Sequence, residues 1–165
     1  MKASFVVPEL AKWDVLTEAP ELLVAPFFSD ERPLKGVAGL ADWRLCGRLS
    51  RLFSIQRVTG EFGETTLLPA SRVGFAKLVL LGLGIAQEFN EERFCSAMRL
   101  IERVAAELGS QRIALALPGR GTGQIRARRA MELCRDDGAL EGLEVLLIET
   151  LAGQKDMGDF MVKSR

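Results

Sequence analysis

The chain contains no histidine. That gap excludes Ser-His and Cys-His nucleophile pairs and every zinc site that needs an imidazole ligand. Any general base would have to be a carboxylate, a lysine or a cysteine. Cysteine is scarce as well. Cys46, Cys95 and Cys134 stand far apart, odd in number, with no Cys-x-x-Cys pair. They read as reduced, buried thiols of a cytoplasmic protein rather than as a disulfide framework or a metal site.

Net charge is missing too. Lys+Arg and Asp+Glu are 22 each, so the formal charge is zero. No global field draws the chain onto nucleic acid or an anionic membrane. Long hydrophobic runs are absent. The apolar stretch near Leu78 to Leu83 is far short of a membrane span, and Phe5-Val6-Val7 is too short for a signal peptide. No low-complexity tract or internal repeat is visible. A soluble cytoplasmic chain without a cofactor is therefore expected.

What remains is ordinary globular composition, with 48% hydrophobic and 27% charged residues. A single domain of this length buries roughly 70% of the surface its unfolded chain exposes. Strand patterns fall at Phe5–Val7, Leu22–Phe27, Thr65–Pro69, Lys77–Gly84, Arg112–Pro118 and Leu143–Glu149. The second of these is expected to end near Pro26, because proline cannot donate to a ladder.

Helical spacing marks three segments. The first runs from about Val37 to Phe53, with Val37, Leu40, Ala41, Leu45, Leu49 and Leu52 on one face. The second follows Asn90 as N-cap, with Glu91 and Glu92 at the positive end of the dipole and Gly109 past its end. The third runs from about Gln124 to Arg135. Residues 1–150 thus read as one domain, and 151–165 as a C-terminal tail of mixed charge.

Alternating strands and helices imply a mixed, mostly parallel sheet between helical layers, a three-layer αβα sandwich. Ligands of such sheets bind beyond the carboxyl ends of the strands. Two strands end there in glycines, at Gly82-Leu83-Gly84 and at Gly119-Arg120-Gly121-Thr122-Gly123. Backbone N–H groups in such a loop, with Arg120 and Arg126 beside them, could hold an anion. The competing reading is a solvated loop, and for Gly82 and Gly84 a tight turn. Neither segment is a P-loop or a complete dinucleotide fingerprint. Trp13, Trp43, Phe27, Phe28 and Phe53 read either as core or as an exposed partner surface.

An ordered set of segments resembles the N-terminal domain of the leucyl (cytosol) aminopeptidase family. It comprises Gly39-Leu40-Ala41-Asp42-Trp43-Arg44-Leu45-Cys46-Gly47-Arg48-Leu49-Ser50-Arg51-Leu52, then Gly60-Glu61-Phe62-Gly63-Glu64-Thr65-Thr66-Leu67-Leu68-Pro69, then Leu78-Val79-Leu80-Leu81-Gly82-Leu83-Gly84, and the helix after Asn90. The match covers about Leu22 to Ile148. It implies a macro-domain-like fold. In that family the peptidase chemistry lies in a separate two-metal C-terminal domain, whose Asn-Thr-Asp-Ala-Glu-Gly-Arg-like signature does not occur here.

The resemblance implies a non-catalytic domain acting in assembly or regulation, with a second copy or another protein as partner. One alternative is a module binding a nucleotide or an ADP-ribose-like ligand through the 119–123 loop. That loop resembles the phosphate loop of ADP-ribose-binding macro domains in position and glycine content. The other alternative is an excised piece of a metal-dependent leucyl aminopeptidase. Nucleic acid is not an expected partner of a neutral chain without interleaved aromatic and basic residues, and neither is a membrane.

Overall fold

The computed structural model describes residues 2–163, and of 159–163 only the backbone. Strands β1 (Lys2–Val6), β2 (Leu22–Phe27), β3 (Thr65–Pro69), β4 (Lys77–Gly82), β5 (Arg112–Leu115) and β6 (Glu144–Ile148) form one sheet in the order β1-β6-β5-β2-β4-β3. All neighbours are parallel except β3, which runs antiparallel to β4 at one edge. The helices are α1 (Leu10–Trp13), α2 (Gly36–Arg44), α3 (Arg48–Ser54), α4 (Glu91–Glu107), α5 (Ala127–Asp136) and α6 (Leu151–Lys163).

The period of two in the central strands sorts their side chains into two cores. Leu22, Val24, Val79, Leu81, Ile113 and Leu115 pack under α4 and α5, against Phe94, Met98, Ile101 and Met131. Leu23, Ala25, Leu78, Leu80 and Ala114 face the other way, toward Trp13, Ala38, Ala41, Leu49 and Phe53. Strands buried on both faces read as continuous apolar runs, as Leu22–Ala25 and Leu78–Leu81 do. The αβα layering expected from the alternation is present.

Several boundaries differ from the sequence expectation. The helix expected over 37–53 is two. Cys46 (φ 54°) and Gly47 (φ 77°) turn the chain left-handed between α2 and α3. Asp42 stabilises the break, because its carboxylate accepts the Leu49 N–H at 2.8 Å, the Ser50 N–H at 3.1 Å and the Ser50 hydroxyl. It caps the second helix from within the first. Helix α5 begins at Ala127 rather than Gln124, so Arg126 stands at its N-cap position in extended conformation.

Pro26 lies inside β2 and does not end it. The Phe27 carbonyl accepts the Leu83 N–H, so Pro26 turns its nitrogen away from β4, toward β5. Strand β5 pairs with β2 only as far as Val24, so no ladder bond is lost. The residues read as a tail contain α6. The Thr150 hydroxyl accepts the Gly153 N–H to start it, and Met157 is fully buried against the α4–α5 core. Residues 164 and 165 of that reading lie outside the described residues. No described helix is long and apolar enough to cross a membrane.

Candidate functional site

Strand order reverses around β2 and β5. The chain crosses from β2 to β4 on one side, then returns past β2 to β5. A crevice at the carboxyl ends of these strands is where a sheet of this kind binds ligands. Its walls are the segment after β2, the start of α2 and the loop after β5.

Gly119, Gly121 and Thr122 of the glycine loop line this crevice together with Glu31, Lys35 and Gly36. The two walls meet glycine to glycine. A Cβ on Gly36 would lie 3.2 Å from the Gly121 Cα, and one on Gly119 would lie 2.6 Å from the Phe89 ring. The cavity left between them is about 20 Å³. That is room for one water molecule, whereas small-molecule sites run to roughly 300–1,000 Å³. The Thr122 hydroxyl is buried beside it without a protein partner.

The other anticipated residues sit elsewhere. Gly82 and Gly84 support a neighbouring loop. A Cβ on Gly82 would come within 2.2 Å of the Glu61 carbonyl, and Gly84 (φ 72°) donates to Gly60 while accepting from Ser29. Gly123 and Arg126 are exposed on the outer side of the loop.

Arg120 points inward and is fully engaged. Its Nε and Nη2 donate to Glu149 at 2.7 and 2.9 Å, and its Nη1 donates to the Ile125 carbonyl at 2.7 Å. The pair is buried, with side chains 16% and 6% exposed. A forked guanidinium on a carboxylate is the strong geometry for such a contact. Glu149 also accepts the N–H and hydroxyl of Thr150. Gly153 makes room for it, since a Cβ there would sit 2.4 Å from the Glu149 Oε1. The loop after β5, the end of β6 and the start of α6 are thus tied at one point.

Arg128 and Arg129, in the first turn of α5, are answered by the chain's own carboxylates. Arg129 donates to Glu91, in the first turn of α4, at 2.7 and 2.6 Å, and to Glu132 at 3.2 Å. Those bonds hold its guanidinium further above its usual range. Arg128 pairs with Glu132.

Glu31 was not anticipated. It is 8% exposed, and its carboxylate accepts the Phe28 N–H at 3.2 Å and the Lys35 N–H at 2.5 Å. Burial raises its pKa, against the opposing pull of those two N–H groups and of Lys35 and Arg32. An internal carboxylate therefore occupies one backbone donor just after β2 and one at the N-cap of α2. Glu149 was likewise missed. Its signal was a lone acid directly after the apolar run of β6.

The cysteines do not form a reactive centre. Cys134 is buried, and burial pushes its thiol up to about 12. Burial also raises Cys95, which is half-buried. A raised pKa means little thiolate at neutral pH. Cys46 is exposed, so the expectation of three buried thiols is corrected. It lies at the left-handed turn between two helices, where its side chain points out of the core.

Residues 24–136 match the description "Cytosol aminopeptidase family, N-terminal domain". The chain belongs to this family. A probable cytosol aminopeptidase of Alkaliphilus metalliredigens (strain QYMF) is 28% identical over 96 residues, which is 58% of this chain and 19% of that protein. The chain thus spans about a fifth of that relative's length. A tomato leucine aminopeptidase variant superposes with a TM-score of 0.59 at 16% identity, over 98% of this chain and 35% of the tomato chain.

Macrodomains share the architecture of this cytosol aminopeptidase N-terminal domain. The Oceanobacillus iheyensis macrodomain, solved with ADP, superposes with a TM-score of 0.68 at 11% identity, over 98% of this chain and 90% of its own. The Thermus aquaticus DarG macrodomain does so at 0.63 and 18%, over 90% and 98%. At such identities the likeness shows the fold alone.

Proposed function

We propose that this chain is a non-catalytic domain of the cytosol aminopeptidase family, acting in assembly or regulation. The observation that carries this reading is the closed crevice. Where a fold of this kind would receive a ligand, two glycine loops touch and about 20 Å³ remains. Nearby, the Arg120 guanidinium is held by Glu149 and the Lys35 backbone N–H by the Glu31 carboxylate. The buried Thr122 hydroxyl beside the crevice has no protein partner, but the space left there is room for one water molecule. The family match also lies in the N-terminal domain.

Hydrolysis of a leucyl anilide in the presence of added Zn²⁺ or Mn²⁺ tests the catalytic half of this reading. No turnover above the buffer rate is expected, and chelator-sensitive turnover would overturn it. Sedimentation equilibrium tests the assembly half. Concentration-dependent association is expected, and a strict monomer at millimolar concentration would contradict it.

A further inference from the structure

The sheet has two edges, and only one carries a charged residue within its strand. Strand β1 opens with Lys2, whose side chain is 83% exposed and lies 3.7 Å from Glu144. An exposed lysine on an edge strand discourages pairing with another chain. Strand β3, Thr65-Thr66-Leu67-Leu68-Pro69, carries no charge, and Leu67 is 51% exposed.

The register fixes which backbone groups of β3 are unused. The Ala70 N–H donates to Ala76, and the Gly82 N–H donates to Glu64. With Thr66 opposite Leu80 and Leu68 opposite Leu78, the even-numbered residues turn their amides toward β4. Thr65, Leu67 and Pro69 turn theirs outward. Among the described residues nothing bonds to these outward groups. Pro69 has no N–H to offer, so the edge presents donors at Thr65 and Leu67 and acceptors at Thr65, Leu67 and Pro69.

We propose that this edge pairs with the same edge of a second copy of the chain, antiparallel and centred on Leu67. This rests on the assembly reading above and names its surface. The arrangement is self-complementary. Leu67 of each copy exchanges both backbone bonds with the partner's Leu67. The Thr65 N–H of each copy donates to the carbonyl of the partner's Pro69. The donor that proline lacks falls at the end of the paired segment, where water reaches the Thr65 carbonyl left over.

Charge agrees with the antiparallel sense. Exposed Glu61 precedes the strand and exposed Arg72 follows it. An antiparallel second copy brings the basic end of one strand to the acidic end of the other, whereas a parallel one sets like against like. Strand addition supplies main-chain bonds and places the two exposed Leu67 side chains together. An edge contact of this length buries less than the roughly 1,200 Å² of a stable interface, so a weak, concentration-dependent dimer is the expected product.

Sedimentation equilibrium on the whole chain, with Leu67→Pro and Leu67→Lys as variants, tests this. Leu67→Pro deletes an outward donor while leaving the β3–β4 bonds in place. The wild type should rise from monomer toward dimer mass between about 1 µM and 1 mM, and both variants should weaken association at least about tenfold. Amide exchange supplies a second reading that does not depend on the variants' folding. Thr65 and Leu67 amides of the wild type should gain protection as concentration rises. Association that persists in both variants with these amides unprotected would overturn the edge while leaving the assembly reading standing. A wild type that stays monomeric throughout would overturn both.

Discussion

The carboxyl-end crevice and the β3 edge differ in how their polar groups are used. Around the crevice Arg120 pairs with Glu149 and Glu31 takes the Phe28 and Lys35 N–H groups, leaving the Thr122 hydroxyl as the buried side-chain group there without a protein partner. At the β3 edge the N–H groups of Thr65 and Leu67 face outward with nothing in the described chain to meet them. The crevice beyond the carboxyl ends of the strands is nearly filled from within, whereas the sheet is open at its β3 edge. Satisfied polar groups cement a structure, and unsatisfied ones on an exposed edge invite a partner.

The sharpest way to break the contrast is to unbalance the crevice. Glu149→Ala leaves the Arg120 guanidinium buried without its counter-ion and should cost about 3–5 kcal/mol in urea unfolding. Combining it with Arg120→Met removes the stranded charge and should recover most of that loss. If Glu149→Ala is silent, the pair does not hold the loop closed. A smaller effect is expected at the glycine contact. Gly119→Ala forces a Cβ into Phe89 at a positive φ (74°), and should cost on the order of 2–3 kcal/mol by the same assay.

Glu31→Gln comes next, at about 1–2 kcal/mol, because an amide can offer its oxygen to only one of the two backbone donors. This variant also has a pH signature. Burial raises the folded-state pKa of Glu31 above its unfolded value. The folded protein therefore holds that proton more tightly, and the stabilisation is present at acid pH and lost as pH rises through the raised value. Wild type should gain stability relative to Glu31→Gln as pH falls through that raised value. An unchanged difference between pH 7 and pH 4.5 would show that Glu31 is not buried as described.

Apolar period located the sheet and its layers, since Leu78–Leu81 and the stripe from Phe94 to Ile101 need no partner information to be recognised. The Asn90 cap and Gly109 were equally legible, because they act on their own helix. Features that depend on distant residues were not. The break after Arg44 depends on how Asp42 reaches Leu49 and Ser50. The pairing of Arg120 could not be read from its neighbours in sequence, because its partner Glu149 lies 29 residues away. Glycines at 119 and 121 were recognisable as a close approach, but the protein groups that approach them, Phe89 and Gly36, lie far off in sequence.

Calorimetric titration of the wild-type chain with ADP-ribose, and with inorganic phosphate, tests the closed crevice most directly. No binding heat is expected for either up to about 1 mM, and no rise in melting temperature. A dissociation constant below about 100 µM, with a melting rise on the order of 5–10 °C at saturating ligand, would mean that the crevice opens and would contradict the account.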